Sequence, residues 1–379
     1  MRTIQIVNVR WFNATAWYGL YLAKLLQNNG HETLVLALPD TDPWHKEEEF
    51  GFNPQYLPLN TKNPLQYPFI YRDLKKLIQQ FKPDVINCHR GEGFLLCAAA
   101  RQELKNFALV RTRGDQRLPK KNLANLILHK SIADAIIATN SRMATHFKTI
   151  MGLPPEKIYT ILGGVDTGYF TFTAEGRQKV RQEFGFEEND FVIGLLGRFD
   201  PVKGNKDLIA ALAALRRQRG SACPQVHVLC IGHPTFATSQ SELQEFAKTA
   251  GVANYVHFTN KRQDIPACLS ALDVGVVASL WSEAIARAAL EIMACQRPLV
   301  GTTVGVMPDL LPACAMYEAG NIPALTALLQ KTCANPEFRA KLLEDHARLM
   351  PELTPDAFLQ KTLVAYEAAR LRAGLKPIT

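Results

Sequence analysis

Residues 274–311 read VGVVASLWSEAIARAALEIMACQRPLVGTTVGVMPDLL. The Val-rich run 274–278 has the length and unbroken apolar character of a strand buried on both faces. It leads through Ser279 to Ser282 into a stretch of strong helix formers (Ala, Leu, Met, Arg) that ends at Cys295. A second short strand follows at 299–301, and Gly305 marks a turn. Strand, helix and strand in that order build a parallel sheet covered by helices.

The same rhythm extends outward. In the second half further strands are expected at 191–196, 226–231 and 255–258, and in the first half at 3–9, 32–38, 85–88, 109–112 and 135–139. Helices are expected over 18–28, closed by Gly30, and over 70–80, ending before Pro83. Residues 151–166 have the Gly and Pro punctuation of a connection, around a short strand at 159–162. A chain of 379 residues exceeds the size at which one core keeps growing. The expectation is α/β, with Rossmann-like lobes over 1–170 and 171–355 and a helix over 356–379 packing back on the first lobe.

Hydrophobic residues make up 47% and charged residues 21% of the chain, enough apolar side chain to fill two cores. Residues 1–8 carry too short an apolar run for a signal peptide, and no segment approaches the roughly 20 apolar residues of a membrane span. The expectation is a cytoplasmic protein, with any contact at the inner membrane face peripheral. The cysteines (Cys88, Cys97, Cys223, Cys230, Cys268, Cys295, Cys314, Cys333) form no C-x-x-C pair and several sit in apolar runs, which fits free thiols in a reducing compartment and no zinc. The net charge of +8 is uneven: residues 1–170 hold 21 Lys/Arg against 14 Asp/Glu, and the remainder 22 against 21. A basic first lobe suits anionic acceptors or phospholipid surfaces, or is a solvated face without a partner. No aromatic RNA-binding signature or recognition helix is present, so nucleic acid is not expected.

Open parallel sheets bind ligands beyond the carboxyl ends of their strands. In GLLGRFDPVKGNKDLIAAL, residues 194–212, a strand ends at Gly197 and a helix begins at Asp207, leaving Arg198 and Lys203 in the loop. A guanidinium is a rigid two-pronged donor and an ammonium a compact point charge, a pair suited to a diphosphate. The plainer alternative is a surface Arg and Lys with salt-bridge partners. In the second loop Glu283 stands at the expected helix N-terminus and Glu291 eight residues on, roughly 12 Å along the axis. That spacing is too long for a catalytic carboxylate pair and suits two hydrogen-bonding tasks on an extended ligand, with phosphate between them at the helix start.

Here the sequence resembles the retaining glycosyltransferases of family four, which have the GT-B fold of two Rossmann-like lobes facing across a cleft. The E-x7-E signature stands as Glu283 and Glu291, followed by MACQRPLVGTTVGVMPDLL. GRFDPVKG, ILGGVDTGYF (161–170), FKPDVINCHR (81–90) and LAKLLQNNGHET (22–33) support it in the same order. The resemblance implies that Arg198 and Lys203, with Gly197 beside them, bind the donor diphosphate. It further implies that Glu291 holds the ribose hydroxyls and that Glu283, next to Ala284 and Ile285, contacts the transferred sugar. His89 matches a histidine facing the cleft, its alternative being a satisfied core histidine. Asp115 in RTRGDQR matches the aspartate of a His-Asp pair whose histidine is here Arg113. The family's glycine-rich stretch after the first glutamate reads Ala284-Ile285-Ala286, and Gln296 replaces a glycine at the helix end. An early double-glycine loop is replaced by RWFNATAWYG (10–19), whose Trp11, Phe12, Trp17 and Tyr18 either stack on acceptor sugars or pack inside.

The activity implied is front-face sugar transfer with retention, from a nucleoside-diphosphate sugar to a glycan or lipid-linked acceptor in cell-surface polysaccharide or lipopolysaccharide assembly. No other cofactor is expected, and Arg198 and Lys203 take the place of a metal. Two other enzymes are weighed: an epimerase of the donor, and a metal-dependent transferase, since Asp40-Thr41-Asp42 spells a D-x-D. That triplet follows only the second strand and precedes Pro43 and a Glu47 to Glu49 run read as a solvated loop. A third alternative is a degenerate, non-catalytic sugar-binding subunit.

Overall fold

The computed structural model describes residues 1–219 and 225–377; Cys223 lies outside the described residues. The chain divides into two units, Met1–Gly163 with the segment from Pro355 onward, and Gly164–Thr354.

In unit 1 the strands β1 (Arg2–Ile6), β2 (Glu32–Leu36), β3 (Val85–Cys88), β4 (Ala108–Arg113), β5 (Ala135–Ala138) and β6 (Ile158–Thr160) form one parallel sheet in the order β2-β1-β3-β4-β5-β6. The central strands are buried along their length, so β5 reads as an unbroken apolar run, while β3 carries one buried polar residue, Asn87. The first helix, Ala14–Asn28, starts earlier than its apolar period suggests because Asn13 caps it, accepting from Ala16 N–H; Gly30, at φ 78°, ends it. Residues 42–49 correct an expectation. They form a helix with Pro43 in its first turn, and Glu47, expected in solvent, is fully buried.

The last helix, Pro355–Arg372, belongs to unit 1 and ends short of the expected 379. Its Tyr366 hydroxyl sits at zero exposure, 2.8 Å from Asn87 Nδ2 and 3.2 Å from the Gln5 amide, while Arg370 Nη2 lies 3.4 Å from Asp84.

In unit 2, β7 (Phe191–Leu196), β8 (Val226–Ile231), β9 (Val256–Phe258), β10 (Val274–Val277), β11 (Leu299–Thr302) and β12 (Met316–Tyr317) form a second parallel sheet, ordered β12-β11-β10-β7-β8-β9. The two-residue β12 is too short to leave a pattern in the sequence. The division between the units falls after Gly163, ahead of the expected Phe170. The reason is where the connecting backbone bonds: Val165 N–H donates to Leu353 O at 2.9 Å, and Thr173 N–H to Ser270 Oγ at 3.1 Å, both within unit 2. Among the described residues no helix is long and apolar enough to cross a membrane.

Candidate functional site

Strand order in unit 2 reverses between β7 and β10: β8 and β9 lie to one side, β11 and β12 to the other. Loops leaving two such strands diverge and open a crevice at their carboxyl ends. The loops that leave these two strands are 197–204 and 278–286, the pair singled out by sequence.

Close backbone approaches fasten the two loops together. Gly204 sits at φ 71°, and a Cβ there would lie 2.1 Å from Ala278 O. Leu280 N–H donates to Val202 O at 2.8 Å. Gly305, at φ 65°, leaves room for the Glu283 backbone, since a Cβ would come within 1.9 Å of Glu283 O. Val306 N–H donates to that same oxygen at 2.8 Å.

Lys203 and Glu283 meet across this junction. Lys203 Nζ bonds Glu283 Oε1, which also accepts from Ser279 Oγ. Glu283 is buried, and Lys203 keeps about a quarter of its side chain exposed, 24%. Arg198 is exposed beside them, its loop pinned by Gly197 N–H to Ile231 O at 2.9 Å and Phe199 N–H to His233 O at 2.8 Å. Burial, then the charges of Lys261 and Arg198, hold the His233 imidazole below its usual pKa.

The helix bearing Glu291 runs Arg287–Ala294, so Glu283 lies four residues before it and is not at its N-terminus as expected. The hold of Gly305 and Val306 on the Glu283 backbone overrides the helix propensity of Ala284 to Ala286. Ala286 instead takes a left-handed φ of 50°, and Gln296 ends the same helix at φ 54°, both where the resemblance implies glycine. Ala284 and Ile285 are buried with it. Glu291 is also buried, and its Oε1 accepts from Arg287 Nη2 at 2.7 Å and Nε at 3.0 Å. Burial raises its carboxyl pKa, opposed by the Arg287 charge.

Ser279 and Arg287 escaped the sequence reading, although each stands four residues before the glutamate it bonds. Asn205, buried with both amide atoms lacking a hydrogen-bond partner, escaped it as well.

The unit 1 candidates separate. His89 is fully enclosed: its Nε2 bonds Gln5 Oε1 at 2.9 Å, and a Cβ on Gly19 would sit 3.0 Å from its ring. Burial, with Arg111 nearby, pushes its pKa down to about 3, so the ring is neutral. Asp115, by contrast, lines a cavity of about 650 Å³ together with Arg90, Glu92, Arg113 and Arg117. Of the four aromatic residues in the early loop, Tyr18 is buried and donates its hydroxyl to Ile161 O at 3.1 Å, Phe12 and Trp17 are half-buried, and Trp11 is exposed. Asp40 takes a φ of 54° and Asp42 opens the 42–49 helix in unit 1. Among the described residues no three His, Cys, Asp or Glu side chains are grouped to hold a metal ion.

Compared with known proteins, the chain matches the family described as glycosyl transferases group 1 over residues 190–335, and glycosyltransferase family 4 over residues 16–169. A D-inositol 3-phosphate glycosyltransferase of Salinispora arenicola is 29% identical over 211 residues, covering 54% of this chain and 46% of that protein. The match therefore spans about half of that relative's length. The structure of Anabaena Alr3699/HepE in complex with UDP has the same fold, with a TM-score of 0.83 at 21% identity over 96% of this chain and 99% of that one. So does the lipopolysaccharide outer core galactosyltransferase WaaB, with a TM-score of 0.72 at 13% identity over 96% and 99%.

Proposed function

Because the chain belongs to the group 1, family 4 glycosyltransferases, we propose that its unit 2 site holds a nucleoside-diphosphate sugar and transfers the sugar with retention at the anomeric carbon. The observation that carries this is the Lys203–Glu283 pair held at the switch point of the sheet, with Arg198 exposed alongside.

A leaving diphosphate gains negative charge as the glycosidic bond breaks, and fixed cations stabilise that charge without reorganising. Arg198 supplies a forked donor and Lys203 a point charge, in the role a metal plays elsewhere. Glu283 orients Lys203 and keeps a carboxylate oxygen for the sugar hydroxyls. Glu291 takes both its Arg287 bonds on one oxygen, Oε1, and in this reading its other oxygen holds the ribose hydroxyls. In front-face transfer the departing phosphate oxygen takes the acceptor proton, so the protein's contribution is positioning and charge stabilisation, and no side-chain base is required. The HepE complex with UDP supports a nucleotide donor, and the name of WaaB supports an acceptor in cell-surface polysaccharide or lipopolysaccharide assembly.

The test is a donor-hydrolysis screen over UDP, GDP and ADP sugars, with the anomer of the released sugar followed by proton NMR. One donor is expected to be hydrolysed with the anomeric configuration kept, and Lys203→Ala and Arg198→Ala each to slow it by about 10²-fold. Wild-type turnover in both variants would refute the assignment. Conversion of the donor to another nucleotide sugar would make the protein an epimerase instead.

A further inference from the structure

Resting on the glycosyltransferase reading, we propose that the unit 1 cavity binds a phosphomonoester group on the sugar acceptor, gripped by Arg90, Arg113 and Arg117 and by the amino end of the Phe94–Leu104 helix.

The cavity of about 650 Å³ lies beyond the carboxyl ends of β3 and β4, where a ligand of an open parallel sheet belongs, and its volume suits a small molecule. Three arginines line it against two carboxylates, Asp115 and Glu92, and a fourth, Arg111, stands behind Asp115. The balance is two positive charges. A phosphomonoester carries about −1.5 to −2 at pH 7, whereas a carboxylate would answer only half of that charge.

The cluster is not closed on itself. Asp115 lies 3.4 Å from Arg113, 3.7 Å from Arg111 and 4.0 Å from Arg90, and Glu92 lies 3.4 Å from Arg90. The Asp115 separations exceed the roughly 2.7–2.9 Å of a charge-assisted hydrogen bond, the bond from Arg90 Nε to Glu92 is long at 3.4 Å, and Arg113 Nη2 donates to Arg117 O at 2.8 Å. Arg111 is fully buried, yet its Nε and Nη2 have no hydrogen-bond partner, and neither does the enclosed Nε of Arg113. Buried cations so incompletely bonded are costly, and an anion in the adjoining cavity would offset that cost through its charge. Consistent with this, burial and then Arg113 hold the Arg111 pKa down to about 9.

The backbone adds its own donors. The helix that starts at Phe94 has Gly93 as its N-cap, with no side chain to accept from the first turn, and Leu95 and Leu96 of that turn line the cavity. Gly93, at φ 78°, cannot be replaced without crowding, since a Cβ would lie 2.8 Å from Leu59 Cδ1. The turn from β3 into the helix is thereby held against the cavity.

The test uses the full chain carrying Arg198→Ala and Lys203→Ala, so that phosphate cannot bind the diphosphate loops of unit 2. Isothermal titration at pH 8 compares glycerol 3-phosphate, inorganic phosphate and glycerate. Glycerol 3-phosphate is expected to bind at least about tenfold more tightly than glycerate and no more weakly than inorganic phosphate. Arg117→Gln and Arg90→Gln, checked for folding by circular dichroism, should remove that preference, and Arg117→Lys should restore part of it. Equal binding of phosphate ester and glycerate, tighter binding of inorganic phosphate, unchanged binding in the variants, or no binding would each overturn the inference. Donor hydrolysis needs no acceptor, so wild-type hydrolysis without phosphate-ester preference defeats this inference alone and leaves the unit 2 reading standing.

Discussion

Two residues, Ala286 and Gly305, show how the backbone around Glu283 is balanced. Ala286 holds a left-handed φ of 50°, a conformation that costs a residue with a Cβ about 1–2 kcal/mol. Replacing it with glycine removes that strain, the added freedom of the unfolded chain offsets part of the gain, and Ala286→Gly should stabilise the protein by about 0.5–1 kcal/mol. Gly305 predicts the opposite sign. Its φ is 65° and a Cβ would lie 1.9 Å from Glu283 O, so Gly305→Ala must displace the backbone that presents Glu283. A loss beyond about 2 kcal/mol is expected, together with loss of donor hydrolysis. Urea midpoints of the two variants check both signs. If Ala286→Gly lowered the midpoint, packing of the fully enclosed Ala286 methyl would outweigh the strain.

At the scale of the element, the Pro355–Arg372 helix meets the unit 1 sheet through a buried hydroxyl, with Arg370 beside Asp84 and Arg372 bonding Asp134 O further along. Tyr366 is within hydrogen-bond reach of Gln5 and Asn87, both buried, and Gln5 in turn accepts from His89. Tyr366→Phe leaves buried amides short of a partner, at a cost of about 1–3 kcal/mol. Hydrogen exchange should quicken at β1, β3 and this helix and stay unchanged in unit 2; uniform quickening in both units would contradict the local role. Such a network had no signature in the sequence, because Gln5 and Tyr366 are 361 positions apart. The strands did have one. A parallel strand buried on both faces is mostly apolar, so 191–196 and, despite Asn87, 85–88 could be read directly, while β12, with two residues, could not. The 197–204 and 278–286 loops were legible as motifs, with Arg198, Lys203, Glu283 and Glu291 all named. Their local structure was not, because a contact from Gly305 decides where the Arg287–Ala294 helix begins. Of the arginine cavity the sequence showed Asp115, Arg113 and the surplus charge of the first 170 residues, but not the cavity itself, since its lining comes from segments around residues 60, 91 and 115.

Across the whole molecule, buried ionisable groups set how stability varies with pH, and in unit 1 they pull in opposite directions. Burial pushes His89 down to about 3 and His129 down to about 4, each with Arg111 adding to the effect. Below their unfolded value near 6.5 the unfolded chain binds protons that the folded chain refuses, so this contribution is complete above about 6.5 and is lost as the pH falls. Glu47 behaves inversely. Burial, with Glu48 beside it, raises its carboxyl from 4.5 to about 8, so its contribution is complete below about 4.5 and is lost as the pH rises to about 8. Each proton difference is worth about 1.4 kcal/mol per pH unit. Between about 4.5 and 6.5 the two histidines outweigh the single glutamate and stability rises with pH; from 6.5 to 8 the glutamate acts alone and stability falls. Unit 1 should therefore be most stable near pH 6.5. Three of the four tryptophans, Trp11, Trp17 and Trp44, lie in unit 1, so urea unfolding followed by tryptophan fluorescence reports chiefly on it. Glu47→Gln should abolish the decline above pH 6.5 and leave the acid limb intact. A decline that persisted in that variant would mean that Glu47 is already ionised in the folded protein at neutral pH.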